Sequence, residues 1–232
     1  MPVAIIDDDS KAAQVTRMTV EDADLETFIL GRDPRIHEVA KDAGIRIISQ
    51  TILDSADAVV CDHRLRPGGF APFDGAELVA ALIGKGVPAI LISQFVDQDY
   101  DVSIRHWRVM LPSVLSRDSF GVDTFKEGLA VCKNEIGGIF TPQRRRHRVL
   151  VRVVDIQSEA SEPVIDAIIP AWSNNSAVRF PFAIVPYELQ GSLLIGAYLI
   201  AQVNLGADRP EDLYFDKFEN PPTPNDAIFD NI

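Results

Sequence analysis

Hydrophobic residues are distributed along this 232-residue chain in two regimes. Up to about residue 138, short unbroken apolar runs alternate with longer segments of helical composition. The runs Val3-Ala4-Ile5-Ile6, Ala58-Val59-Val60-Cys61 and Val87 to Ile92 have the character of strands buried on both faces, as in a parallel sheet. Between them, Ser10 to Thr19, Gly75 to Ile83 and Asp123 to Ile136 are predicted helices, the last stopped by Gly137-Gly138. Leu25 to Leu30 is a candidate second strand. Gly31-Arg32-Asp33-Pro34 marks a turn, Arg35 to Ala43 a helix ended by Gly44, and Ile45 to Ile48 a further strand-like piece. Asp97 to Arg108 is polar and partly helical, and Val109 to Leu115 is the last short strand. Alternating strands and helices predict an α/β fold with a doubly wound parallel sheet.

From Val149 the pattern becomes β throughout. Val149 to Val154, Val164 to Pro170, Ala177 to Pro186, Leu193 to Val203 and Leu213 to Phe218 are candidate strands. Ser173 to Ser176 and Gly206 to Pro210 are predicted turns. Short strands at this spacing predict a small, mostly-β barrel or sandwich. Trp172, Phe180, Phe182, Tyr187, Tyr198, Tyr214, Phe215 and Phe218 are assigned to its core, and Asn204 and Glu211-Asp212 are read as ordinary turn residues. The expected organisation is an α/β domain over 1–140, a basic linker over 141–148, a β domain over 149–220 and a Pro- and Asn-rich tail over 221–232. The apolar residues of that tail, Ile228, Phe229 and Ile232, are candidate anchors for a partner or a second copy.

Charge narrows the possible partners. A net charge of −12 and a pI near 4.7 argue against nucleic-acid binding by the chain as a whole. Arg144-Arg145-Arg146-His147-Arg148 is the one dense basic run, and without interleaved aromatics it reads as a solvated linker that pairs with the protein's own acidic surface. No apolar run is long enough to span a bilayer, and the first residues read as a folded strand rather than a leader, so a cytoplasmic protein without a membrane partner is expected. The two cysteines, Cys61 and Cys132, are expected to be free thiols in a reducing compartment.

The chemistry is concentrated where apolar runs end in carboxylates. Ile5-Ile6 runs into Asp7-Asp8-Asp9, and Val60-Cys61 runs into Asp62-His63-Arg64. If the two strands are parallel neighbours, these carboxylates meet at the carboxyl edge of the sheet, where open α/β sheets place their ligands. Crowded carboxylates repel one another unless a cation is present, and oxygen-only ligation suits Mg²⁺. Asp7, Asp8 and Asp62 are therefore candidate metal ligands. The triplet also suits a plain helix N-cap. The same edge is expected to carry Ser93 and the Ser116-Arg117 pair, a hydroxyl and a cation able to stabilise phosphoryl oxygens. The long loop Arg66 to Gly75 is expected beside it.

Residues 1–138 resemble the receiver domain of two-component response regulators. The resemblance is carried by Ile5-Ile6-Asp7-Asp8-Asp9-Ser10, by Val59-Val60-Cys61-Asp62 and by Ile90-Leu91-Ile92-Ser93. It implies Asp62 as phospho-acceptor, Asp7 and Asp8 with the Arg64 backbone carbonyl as further metal ligands, and Ser93 as the switch hydroxyl. It also implies Mg²⁺ as cofactor, a histidine kinase as partner, and signalling through dimerisation or through the β domain rather than enzymatic turnover. The sequence departs from the family pattern in several places. Arg117, or Ser116 one residue earlier, occupies the place of a lysine. Gln94 follows the switch hydroxyl where a very small residue is usual. The toggling aromatic near Val114 is missing, and the proline usually close behind the acceptor is displaced. These departures leave an alternative: a degenerate receiver-like scaffold that takes no phosphate, with Arg117 held on the carboxylates and recognition carried by the β domain. No helix-turn-helix pattern follows.

Overall fold

A computed structural model describes residues 2–66, 69–94, 100–158 and 162–222. The chain divides into two compact units, Met1–Arg144 and Arg145–Ile232.

In the first unit, β1 (Val3–Ile6), β2 (Thr27–Ile29), β3 (Ala58–Asp62), β4 (Ala89–Ser93) and β5 (Val114–Ser116) form a parallel sheet in the order β2-β1-β3-β4-β5. The helices are α1 (Ser10–Glu21), α2 (Lys41–Ser55), α3 (Gly75–Gly84) and α4 (Val122–Ile136). The unbroken apolar runs are explained by the period-two alternation of strand side chains. Ala4, Ile6, Val59, Cys61, Ala89 and Leu91 pack in one cluster with Ile48 and Ile52 of α2 and Leu78 and Leu82 of α3. Val3, Val60, Ile90 and Ile92 pack in a second with Val20 of α1 and Phe125 and Leu129 of α4. Both faces of the sheet are covered, as a doubly wound fold requires.

The expected helix over Arg35 to Ala43 and the strand over Ile45 to Ile48 are corrected. Pro34–His37 is a 3₁₀ turn, and α2 runs unbroken from Lys41 to Ser55 with Gly44 inside its first turn. Ile45, Ile48, Ser49 and Ile52 form its buried stripe at helical spacing, so the four-residue window that looked like a strand was part of a longer 3.6-residue period. Gly44 does not stop the helix. It lies where a Cβ would stand 3.2 Å from the Phe73 ring. The last strand also begins later than expected, at Val114, after the 3₁₀ turn Arg108–Met110. In the long loop after β3, Phe70, Ala71 and Phe73 are buried in the core.

The second unit is one antiparallel sheet of β6 (His147–Gln157), β7 (Val164–Ile169), β8 (Ser173–Pro181), β9 (Tyr198–Val203) and β10 (Phe215–Glu219), in the order β10-β9-β6-β7-β8. The outer strands β8 and β10 stand at opposite ends of that order. Yet the Phe180 ring lies 4.5 Å from Phe215 and 5.7 Å from Phe218 between centroids. The sheet is therefore rolled until its edges meet through side chains, enclosing Val151, Val153, Ile165, Val178 and Val203. Ser173 to Ser176, expected as a turn, belong to β8, and the strand expected from Leu193 starts at Tyr198. Two of the expected core aromatics lie outside it: Tyr187 is 85% exposed and Tyr198 is 48% exposed. Asn204 does more than fill a turn. Its side chain accepts from the Tyr214 amide (2.7 Å) and donates to the Asp212 carbonyl (3.0 Å), bracing the approach to β10.

Three arginines of the basic run pair with the protein's own acidic side chains. Arg144 is buried in the first unit, paired with Glu135 of α4 at 2.6 Å and donating to the carbonyls of Arg108 and Val109. Arg146 pairs with Asp216, and His147 and Arg148 are the first residues of β6, with Arg148 paired to Glu219. Most of the tail, with its apolar anchors, lies outside the described residues. No helix among the described residues is long and apolar enough to cross a membrane. Both cysteines are buried free thiols; burial pushes Cys61 well above the usual thiol range and Cys132 up to about 12.

Candidate functional site

Strand register brings the acidic residues together. Ile6 stands opposite Cys61 in the β1–β3 ladder, so Asp7 and Asp62 leave the sheet side by side on the same face. Asp62 in turn pairs with Ile92, and Ser93 with Ser116, which sets Arg117 at the end of β5 next to the same edge. Asp7, Asp8, Asp9, Asp62, Arg64, Ser93, Gln94 and Arg117 line one cleft of about 300 Å³. One carboxylate oxygen from each of Asp7, Asp8 and Asp62 lies within 4.8 Å of the others.

Each member of the triplet has its own task. Asp9 is the N-cap of α1, accepting from the amides of Lys11 (2.7 Å) and Ala12 (3.3 Å), and these bonds hold its carboxyl below the usual range. The helix-cap reading therefore applies to Asp9. Asp7 and Asp8 turn to the cleft. Asp7 is 8% exposed and accepts from the Asp9 amide at 2.9 Å. Burial, seconded by the charge of Asp62, raises the pKa of both Asp7 and Asp8. Such a group of oxygen donors, partly desolvated and mutually repelling, has the composition that a hard divalent cation requires.

Asp62 is held from three directions. The Arg64 amide donates to its Oδ2 at 2.8 Å. Arg117 donates through Nη2 to Oδ1 at 2.5 Å, and the same Nη2 reaches Asp7 Oδ2 at 2.9 Å. Behind Asp62 the backbone is clamped by α3. The Gly75 amide donates to the His63 carbonyl at 2.7 Å, and a Cβ on Gly75 would stand 1.9 Å from the Asp62 carbonyl oxygen. Only glycine admits the first turn of α3 so close to the acceptor strand. His63 is buried; its amide donates to Ile92, and its Nε2 lies 2.9 Å from the Ser103 hydroxyl.

Ser116 and Arg117 are placed differently. Arg117 reaches the carboxylates, while Ser116 caps the short 3₁₀ turn that follows by accepting from Ser119. Ser93 is 1% exposed at the end of β4 and lines the cleft with Gln94. Arg64 lines the cleft and is bonded to Asp62 through its amide. Sequence reasoning missed the Gly75 contact and the His63–Ser103 bond. Asp74-Gly75 at a helix start was the one visible signal for the former.

The N-terminal unit is similar to receiver domains of response regulators. No known family profile and no curated protein matches the chain. Among solved structures, a response regulator receiver domain protein from Clostridium thermocellum matches at 16% identity, over 58% of this chain and 94% of its own, with a TM-score of 0.41. A sensor protein from Polaromonas sp. JS666 matches at 13% identity over 58% and 97%, with a TM-score of 0.42. The receiver domain of a Francisella response regulator matches at 17% identity over 58% and 97%, with a TM-score of 0.40. The doubly wound fold of the receiver-like unit is read from its own strand order and register.

Proposed function

We propose that this chain is a response-regulator-like signalling protein that accepts a phosphoryl group on Asp62. The observation that carries the reading is the meeting of Asp7, Asp8 and Asp62 in one cleft that also contains Ser93 and Arg117. In the reaction an Asp62 oxygen attacks the phosphorus of a phosphohistidine or of acetyl phosphate. A P–O bond forms to Asp62, the bond to imidazole nitrogen or acetate oxygen breaks, and that atom keeps the electron pair. Arg117 and the Ser93 hydroxyl would then donate to phosphoryl oxygens, which is where charge accumulates. Asp7, Asp8, Asp62 and the Arg64 carbonyl would hold Mg²⁺, whose contribution is to neutralise the carboxylates and the transferred group.

In this reading a partner histidine kinase supplies the phosphate in the cytoplasm. The chain turns over no external substrate of its own, and the modified state alters pairing with a second copy or the behaviour of the β unit.

The test is intact mass after incubation with acetyl phosphate and Mg²⁺, on the full chain and on Asp62→Asn. One phosphoryl mass on the wild type and none on the variant supports the reading. An unmodified wild type, or an adduct that survives Asp62→Asn, overturns it and leaves the receiver-like scaffold as the better description.

A further inference from the structure

We infer that Arg117 is a tethered counter-cation that competes with the divalent ion for Asp7 and Asp62, so that loading of the site requires the guanidinium to leave. The inference rests on the metal reading of the cleft given above. Its basis is a single atom: Nη2 of Arg117 bonds Asp7 at 2.9 Å and Asp62 at 2.5 Å, and these are two of the three carboxylates whose oxygens converge.

Two physical features make this an occupation rather than a nearby charge. First, the carboxylates are 4% and 10% exposed at the side chain and Arg117 is 24% exposed, so the pairs are partly desolvated and weakly screened. Burial works against the charge on Arg117, but the fields of Asp7 and Asp62 outweigh it and hold the guanidinium protonated. Second, arginine cannot shed its proton at any ordinary pH, and its planar fork keeps a preferred geometry. The clamp therefore opens only by exchange against another cation, or when a phosphoryl group on Asp62 offers the guanidinium new acceptors. Asp8, the third of the converging carboxylates, is not one of the two that Arg117 bridges, which leaves it the first contact for an incoming ion. Arg117 thus sets both the ion affinity of the site and the order of events, with ion entry coupled to arginine release.

The test combines two readouts on the full chain. Calorimetric titration with Mg²⁺ is compared between wild type, Arg117→Gln and Arg117→Lys. Removing an opposite charge in contact with a carboxylate changes its cation affinity on the order of tenfold or more, so Arg117→Gln is expected to bind Mg²⁺ at least about tenfold more tightly. In parallel, NMR of ¹⁵N-arginine protein follows the restrained Nη resonances of Arg117, assigned by their absence in Arg117→Lys. They are expected to disappear as Mg²⁺ is added to the wild type. Equal affinities for wild type and Arg117→Gln, or Arg117 resonances that persist at saturating Mg²⁺, overturn the inference while leaving the metal site intact. Absence of binding heat in every variant removes the metal reading itself. Because the NMR arm uses wild-type protein, a poorly folded Arg117→Gln does not leave the inference untested.

Discussion

The two units treat charge in opposite ways. In the receiver-like unit, Asp7, Asp8 and Asp62 are gathered at one partly buried sheet edge, where Arg117 bridges two of them. In the β unit, four arginines are spread over the unit and each meets one acidic side chain: Arg146 with Asp216, Arg148 with Glu219, Arg179 with Asp166 and Arg209 with Asp212. Matched surface pairs contribute little and ask for no ligand. Converging carboxylates repel one another, at a cost in stability that a nearby cation relieves. Three arginines of the basic run follow the paired pattern. Arg144, Arg146 and Arg148 are each engaged by an acidic side chain of their own unit.

The contrast can be broken at four places. The largest effect is expected at Arg144, which is buried with its partner Glu135, each 6% exposed at the side chain. Arg144→Ala leaves a buried carboxylate without its cation and takes one donor from each of the Arg108 and Val109 carbonyls. It should destabilise the receiver-like unit by about 3 kcal/mol in urea unfolding. A change no larger than that of a surface arginine would show that the pair is not structural. Next is Gly75→Ala, whose methyl has no room against the Asp62 carbonyl. Overpacking of this kind costs about 2 kcal/mol and should also lower the yield of phosphoryl adduct. Normal stability and normal modification would mean that α3 can back away freely.

Smaller, but diagnostic in its pH dependence, is Asp8→Asn. The pKa of Asp8 is raised in the fold, so its contribution to stability is present below the unfolded-state value and is lost as pH rises through the folded value. Without divalent ions, wild type and variant should melt together in acid, and the variant should melt higher as pH approaches neutrality. Adding Mg²⁺ should stabilise the wild type and do little for the variant. A pH-independent gap would contradict the assignment of Asp8 to a strained cluster. The smallest effect is expected for Arg148→Gln, whose pair with Glu219 lies in solvent at about half exposure on both sides. Its thermal midpoint should match wild type at moderate salt, and a clear loss would mean that the β unit depends on its surface pairs.

Local pattern alone determined much of this protein. The runs at Val3, Ala58 and Ala89 had to be buried strands because no polar residue interrupts them. Their endings in Asp7, Asp62 and Ser93 marked the edge where these side chains gather, since strand direction and edge are written in the order of apolar and polar residues. The change to β character at Val149 marked the second unit for the same reason. Tertiary structure decided what depends on contacts between distant segments. It made Ile45 to Ile48 one turn of α2, because the partners of that apolar stripe come from elsewhere in the core. It drew Arg144 out of a basic run and into α4's carboxylate, and left Tyr187 and Tyr198 outside the core. Above all it placed one nitrogen of Arg117 between Asp7 and Asp62, which stand 110 and 55 residues away along the chain. Spacing in a sequence specifies which side chains can face a site; which of them fills it follows only from packing and electrostatics in three dimensions.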